Sequence, residues 1–229
     1  MHRRARHLTG RAAGASFHYD VRFLNSTDGT GIATVKDLAG SNDMTQSTSG
    51  SRALYKTNVL GGNAVIRFDG TDDFYSLTTG VPISGEYLAA SLFKNTNSRS
   101  PTFTNRTSAT ATPYTNFYYD GNIYTIFGNG SGATPAYTPN TWQITTTYTN
   151  STYTVRDILV NGKALPNMGY SLNTENGSLD TFGRRDWDNP DVFFQGDLAA
   201  AIHIRGSLAF SLRKRFEHAM AFSFKFATS

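Results

Sequence analysis

The sequence contains no cysteine and very little glutamate. Without cysteine the chain has no disulfide framework, cysteine nucleophile, thiolate zinc site or iron–sulfur cluster. Only three of the 17 acidic residues are glutamate, at Glu86, Glu175 and Glu217, and a mainly helical protein would use more of this good helix former. Charged residues make up 17% of the chain, against roughly 25% in an average soluble protein. This composition favours an all-β fold rich in loops.

Long hydrophobic runs are missing as well. No window approaches the roughly 18 consecutive apolar residues of a membrane-spanning helix, so no membrane span is expected. Residues 1–16, the N-terminal arm, contain Arg3, Arg4, Arg6 and Arg11, but they lack the apolar stretch of about 7 to 15 residues found in a secretory signal peptide. The remaining basic and acidic residues are equal in number. Because the body carries no basic field, no sequence-specific nucleic-acid partner is expected.

Strand-length bursts of alternating apolar residues, separated by turn residues, fill the rest of the chain. The bursts lie at 64–68, 87–93, 123–127, 142–148, 153–160 and 198–204. Asn161-Gly162 is the strongest hairpin pattern between them, because both residues tolerate a positive φ. The segment from Ser211 to Met220 has apolar residues at four-residue spacing and predicts one short C-terminal helix. We therefore predict that residues 17–229 form one all-β domain, a sandwich of two antiparallel sheets.

Three segments, in chain order, carry motifs of a known fold family. The first is KDLAGSND with NAVIRFDGTDD, at 36–43 and 63–73. The second is NTWQ with ILVNG, at 140–143 and 158–162, and the third is GR with FQGDLAA, at 183–184 and 194–200. Together they resemble the concanavalin A-like, or laminin-G-like, jelly roll of bacterial and phage surface proteins. The resemblance implies a two-sheet jelly roll but no activity, because this fold hosts lectins, carbohydrate-binding modules, lyases, glucanases and structural modules. Ala200 departs from the family's usual acidic residue, which weakens any site that depends on that acid.

The sequence offers no paired carboxylates of the kind that glycosidases use. Glucanases of this fold carry an E-x-D-x-E strand, whereas none of the three glutamates here has an acidic residue two positions away. Lyases of this fold carry an R-x-E-x-R strand and a Q-x-H pair, and neither Gln143 nor Gln195 has such a histidine. His203 lies between Ile202 and Ile204, as a packed residue of a sheet would. We therefore expect that the chain is not an enzyme.

Two loops rich in aspartate could hold a cation. One contains Asp69, Asp72 and Asp73, and the other has aspartates at 186, 188 and 191. Ca²⁺ takes several oxygen ligands from carboxylates and carbonyls, so it is the one cofactor for which the sequence offers a candidate site. The alternative, which the pattern favours, is that Asp69 makes an Asx turn that Asp72 or Asp73 ends.

Two groups of residues are candidates for glycan binding, in which an aromatic ring stacks on a sugar and polar side chains bond its hydroxyls. The first group is Tyr118, Tyr119, Asp120 and Tyr124. The second is Trp187, in a loop between two aspartates. In the alternative interpretation half of the tyrosines point into the core and Trp187 closes one end of the sandwich.

The four arginines of the N-terminal arm could contact phosphate, an anionic lipid surface or an acidic protein neighbour. Together with the family resemblance and a neutral body rich in Thr, Ser and Asn, the arm predicts a non-catalytic structural or surface-display protein of a phage virion. We expect that the arm anchors it at the virion surface, with other virion proteins and further copies of the chain as partners. The alternative is a lectin-like module that recognises a host or a polysaccharide from an extracellular or cell-surface location.

Overall fold

The structure of the protein is a computed structural model. It describes residues 15–82, 85–97, 99–104, 117–119, 122–127, 130–135, 138–149, 156–164, 178–185, 192–206, 218–221 and 224. Strands dominate this part of the chain, and every described strand pair is antiparallel. None of the described helical segments has the length and apolar character of a helix that spans a membrane.

The large sheet has eight strands. They are β1 (Ala15–Asp20), β4 (Leu54–Leu60), β5 (Asn63–Asp69), β7 (Tyr87–Asn95), β13 (Trp142–Thr149), β14 (Arg156–Val160), β15 (Lys163–Ala164) and β19 (Gln195–Arg205). Seven of them lie in the order β15-β14-β13-β7-β19-β5-β4, and β1 pairs with β19. β19 pairs with β7 along one edge, while its other edge pairs first with β5 and then with β1. β7 and β19 therefore form the centre of this sheet.

The other eleven strands form three smaller sheets. The five-stranded sheet has the order β2 (Thr34–Val35), β3 (Met44–Thr45), β6 (Tyr75–Pro82), β16 (Ser178–Phe182) and β9 (Phe103–Thr104). The four-stranded sheet has the order β12 (Gly130–Pro135), β11 (Asn122–Phe127), β10 (Phe117–Tyr119) and β8 (Arg99–Pro101). The last sheet pairs β17 (Arg184–Arg185) with β18 (Val192–Phe193), and two 3₁₀ turns lie at Val21–Phe23 and Ser49–Ser51.

Aromatic side chains fill the space between the large sheet and the five-stranded sheet. Phe17 and Phe68 come from the large sheet, Phe103 and Phe182 come from the five-stranded sheet, and all four are buried. Ring centroids are 4.8 Å apart for Phe17 and Phe103 and 5.3 Å apart for Phe68 and Phe182. Two sheets that pack their inner faces in this way form a sandwich. The predicted all-β sandwich of antiparallel sheets is thus confirmed.

The outer face of the large sheet is also apolar. Leu92 of β7 and Ile144 of β13 are buried there in one cluster with Met220 and Phe224 from the last part of the chain. This explains why β7 is buried on both faces. The predicted C-terminal helix is seen at residues 218–221, and its predicted start at 211 lies outside the described residues.

The predicted hairpin at Asn161-Gly162 is confirmed. Both residues have positive φ angles, 52° and 84°, and Val160 pairs with Lys163 across the turn. The Asn161 side chain adds a second role, because its Oδ1 accepts a hydrogen bond of 2.8 Å from the Ile144 backbone N–H. The two-residue turn therefore joins β14 to β15 and also ties the loop to β13.

The N-terminal arm lies outside the described residues except for its last two. Ala15 and Ser16 begin β1, and Ala15 pairs with Ile204 of β19. The division between an arm at 1–16 and a domain at 17–229 stays a prediction, as do the roles of Arg3, Arg4, Arg6 and Arg11.

Candidate functional site

Five residues, the charged row, line up across the outer face of the large sheet. Leu54 is opposite Arg67, Arg67 is opposite Asp197, Asp197 is opposite Lys94, and Lys94 is opposite Trp142. Residues directly opposite each other in neighbouring strands point to the same face of a sheet. The sheet order β13-β7-β19-β5-β4 therefore places one line of side chains across five strands.

Asp197 stands at the centre of the charged row and is 1% exposed. Arg67 binds it with two hydrogen bonds, 2.6 Å from Nε to Oδ1 and 3.0 Å from Nη2 to Oδ2. The Lys94 ammonium lies 3.2 Å from the same Oδ2. A buried carboxylate is strongly disfavoured unless it is paired in this way. The hydrogen bond to Asp197 in turn raises the pKa of Arg67, so the guanidinium stays charged.

Both cations remain in contact with solvent. The Arg67 side chain is 43% exposed and the Lys94 side chain is 21% exposed. Lys94 Nζ also lies 5.8 Å from the centre of the half-buried Trp142 ring, within the range of a cation–π interaction. The charged row thus presents two partly exposed cations next to an aromatic ring.

Two glycines allow the strands to meet closely at this end of the sheet. Gly196 has φ +148°, and a Cβ built on it would lie 2.0 Å from the Lys94 carbonyl oxygen. Gly70 has φ +81°, and its Cβ would lie 2.7 Å from the Gln195 Cβ. Only glycine fits these two positions. The FDG and FQGD motifs of the sequence therefore contact each other, and they hold Asp197 in place beside Arg67 and Lys94.

The charged row borders a cleft of about 520 Å³. The polar side chains that line the cleft are those of Arg52, Arg67, Asp69, Asp73, Lys94, Thr96, Gln195 and Asp197. Arg52 is held at the rim by hydrogen bonds from Nε to the Gln46 carbonyl, 3.0 Å, and from Nη2 to the Ser47 carbonyl, 2.8 Å. The cleft offers both donors and acceptors to a bound molecule.

The aspartates of the FDGTDD loop do come together. One carboxylate oxygen of each of Asp69, Asp72 and Asp73 lies within 4.8 Å of the others. The predicted Asx turn is present, because Asp69 Oδ1 accepts a hydrogen bond of 2.7 Å from the Thr71 N–H. Asp72 accepts one of 2.9 Å from Ser51 Oγ. The prediction of a calcium ion at these residues stays a prediction, and the aspartates at 186, 188 and 191 lie outside the described residues.

Asp73 is the buried member of this loop. Its Oδ2 accepts a hydrogen bond of 2.9 Å from the Asp69 N–H. Burial raises the pKa of Asp73 to about 6, and the charges of Asp69 and Asp72 act in the same direction. Near neutral pH the native loop therefore carries a carboxylate in an unfavourable environment.

Only three of the five glycan-binding residues predicted from the sequence are among the described residues. Tyr118 and Tyr119 lie in β10 and Tyr124 lies in β11, so the structure places these three on two paired strands of the four-stranded sheet. Asp120 and Trp187 lie outside the described residues. A glycan site at these five residues stays a prediction.

Sequence reasoning missed the charged row, although most of its members stand inside the quoted motifs. Arg67 and Asp197 are 130 positions apart, and only the pairing of β5 with β19 brings them together. The available signal was a charged residue next to each of three apolar bursts: Arg67 after Val65-Ile66, Lys94 after Phe93, and Asp197 before Leu198.

No protein-family profile matches the sequence, and no curated protein matches it. Several solved structures do. A Trypanosoma rangeli sialidase in complex with sialic acid matches with a TM-score of 0.66 and 9% identity, over 94% of this chain and 34% of that chain. The binding domain of Paraclostridial Mosquitocidal Protein 1 matches with a TM-score of 0.61 and 11% identity, over 92% of this chain and 53% of that chain.

A third match is botulinum neurotoxin type C, a toxin whose entry into cells depends on interaction with two ganglioside molecules. Its TM-score is 0.56 and its identity 10%, over 91% of this chain and 51% of that chain. The fold is a concanavalin A-like jelly roll. This jelly roll spans about a third of the length of the sialidases that it matches.

The expectation that the chain is not an enzyme, as argued from the sequence, is wrong. It rested on the missing strand motifs of glucanases and lyases, yet the jelly roll matches sialidases, one of them with 2,3-difluorosialic acid as a covalent intermediate. Sialidases thus also contain this fold. At about 10% identity the match shows a shared lectin-like fold, and it assigns no catalytic residue to this chain.

Proposed function

We propose that this jelly roll is a lectin-like domain that binds a glycan in the cleft beside the charged row. The observation that carries the proposal is the cleft itself, which combines exposed donors with acceptors in a space of about 520 Å³. Sugar hydroxyls both donate and accept hydrogen bonds, so they suit a lining of arginine, lysine, aspartate, threonine and glutamine.

The comparisons support this proposal in general terms. One matching structure holds sialic acid, and another belongs to a toxin that interacts with gangliosides. These ligands are properties of those proteins, at about 10% identity to this chain. They support the proposal because similar jelly rolls occur in proteins that interact with glycans.

A glycan array of the full-length chain tests the proposal, followed by titration of the bound glycans with two matched variants. Leu54→Glu places a carboxylate on the cleft wall opposite Arg67, and Leu38→Glu places one at an equally exposed leucine outside the cleft lining. We expect binding to weaken at least tenfold in Leu54→Glu and to stay unchanged in Leu38→Glu, with similar melting temperatures.

The absence of any bound glycan would overturn the proposal. Equal loss of binding in both leucine variants would also contradict it. Loss of binding in Trp187→Ala, without a change in melting temperature and with Leu54→Glu unaffected, would place the site in the loop predicted from the sequence.

A role as a virion surface protein, anchored by the N-terminal arm, is the second candidate that the sequence suggests. None of the matching structures named above is a virion component, so this role stays a prediction, together with its location and partners. Deleting residues 1–16 should abolish incorporation into the particle while the sandwich remains folded. Normal incorporation of the truncated chain would contradict an anchoring role.

A further inference from the structure

Two cations share a single carboxylate in the charged row. Arg67 Nη2 and Lys94 Nζ approach the same oxygen of Asp197, at 3.0 and 3.2 Å. One carboxylate balances one of these charges, so the cluster retains a surplus positive charge. The surplus faces the cleft, since Asp197 is 1% exposed while both cations reach solvent.

Two further carboxylates, those of Asp69 and Asp73, line the cleft, and Arg52 adds a third cation to the lining. Neither of these carboxylates pairs with Arg67 or Lys94. Asp73 accepts the Asp69 N–H, and Asp69 accepts the Thr71 N–H within its own turn. Asp28, whose charge also acts on Arg67, lies 3.5 Å from Lys56. Among the described residues, Asp197 is the only acid that forms an ion pair with Arg67 or Lys94.

The unused donors of the two cations point to the chemistry of a ligand. Asp197 occupies Nε and one terminal nitrogen of Arg67, and a guanidinium has five N–H donors in a fixed planar fork. Lys94 adds an ammonium with three donors. Charge-assisted hydrogen bonds of this kind suit a carboxylate better than a neutral hydroxyl. The Trp142 ring beyond Lys94 offers an apolar surface next to that charge.

We propose that the cleft prefers glycans that carry a carboxylate, with Arg67 and Lys94 binding that group next to Trp142. This inference rests on the proposed glycan-binding function and names the class of glycan. Asp197 acts as a positioning residue, because it holds the two cations together from a buried position.

Calorimetric titration of the full-length chain with sialyllactose and with lactose tests the preference, since the two sugars differ by one carboxylated residue. We expect sialyllactose to bind at least tenfold more tightly, and this ratio to shrink at high salt because the interaction is between charges. Lys94→Gln and Arg67→Gln should each reduce the ratio severalfold. Lys36→Gln, which removes an exposed cation paired with Asp43 between β2 and β3, should leave the ratio unchanged.

Lys94→Gln keeps the pair between Arg67 and Asp197, so it tests the preference even where Arg67→Gln fails to fold. Equal affinity for the two sugars, or a preference that survives both variants, would overturn the inference and leave glycan binding standing. Failure to bind any glycan of the array would overturn the proposed function itself.

Discussion

At the scale of single residues, His203 places an imidazole ring among the aromatic side chains of the core. It is fully buried, its ring is stacked on Tyr87 at 4.9 Å and lies 5.6 Å from Phe17. Neither ring nitrogen has a hydrogen-bond partner among the described residues. Burial lowers the pKa of His203 to about 3. The native core therefore holds this imidazole in its neutral form down to strongly acidic pH.

We predict that His203→Phe makes the protein less sensitive to acid. Below the usual histidine pKa of about 6.5, the unfolded wild-type chain takes up a proton that the native state excludes. The free energy of unfolding of the wild type should therefore fall as the pH drops from about 6.5 toward 3. The loss should reach up to about 2 kcal/mol at pH 5, and His203→Phe should not show it. Urea unfolding at pH 7.5 and pH 5 measures the difference, with His218→Gln, an exposed histidine, as the control. Parallel losses in wild type and His203→Phe would contradict the prediction.

Asp73 responds to pH in the opposite direction. The pKa of Asp73 is about 6 in the native state, above its value in the unfolded chain. The native state therefore binds this proton more tightly. The free energy of unfolding should fall as the pH rises from about 4 to beyond 6, where the proton is lost. Asp73→Asn should therefore be more stable than wild type at pH 8, by about 1 to 2 kcal/mol, with little gain at pH 4. Melting curves at both pH values test this, and an equal difference at the two pH values would contradict it.

The same two proteins test the calcium prediction. A cation bound by Asp69, Asp72 and Asp73 would favour the charged form of Asp73. Added CaCl₂ would then raise the melting temperature of wild type more than that of Asp73→Asn. Equal shifts in the two proteins would argue against a calcium site in this loop.

At the scale of strands, alternation in the sequence located four neighbouring strands of the large sheet. The bursts at 64–68, 87–93, 142–148 and 198–204 correspond to β5, β7, β13 and β19. What alternation could not show is that β7 and β19 are central and buried on both faces. That follows from pairing between strands far apart in the chain, which local patterns do not contain.

Gly196 controls the approach of β19 to β7. We predict that Gly196→Ala destabilises the protein by at least about 3 kcal/mol, because its Cβ would overlap the Lys94 carbonyl, 2.0 Å away, and force the two strands apart. Gly206→Ala, just after the other end of β19, is the matched control. Gly206 also has a positive φ, +100°, but its Cβ would meet nothing within 4 Å. Gly206→Ala should lower the free energy of unfolding only through backbone strain, by about 1 to 2 kcal/mol.

Urea unfolding of the two glycine variants gives the comparison. An equal decrease in the free energy of unfolding for Gly196→Ala and Gly206→Ala would show that β19 and β7 can move apart at the charged row without further loss of stability. In that case the close approach of β19 to β7 would not be what positions Asp197.

At the scale of the whole molecule, the three motifs that predicted the fold also meet in space. Arg67 comes from the first motif, Trp142 from the second and Asp197 from the third, and all belong to the charged row. The motifs indicated the architecture through their resemblance to a known fold, and their glycines allow neighbouring strands to approach closely. They could not indicate the site, because its charge balance depends on which residues become buried together.

Occupation of the cleft by a glycan can be observed residue by residue. The measurement is NMR of the isotope-labelled full-length chain, with amide chemical shifts followed during titration with a glycan that binds in the array. We expect the largest shift changes at Arg67, Lys94, Thr96 and Asp197 and at the Trp142 indole N–H. Largest changes confined to β10 and β11, or to another surface away from the cleft, would contradict a glycan site beside the charged row.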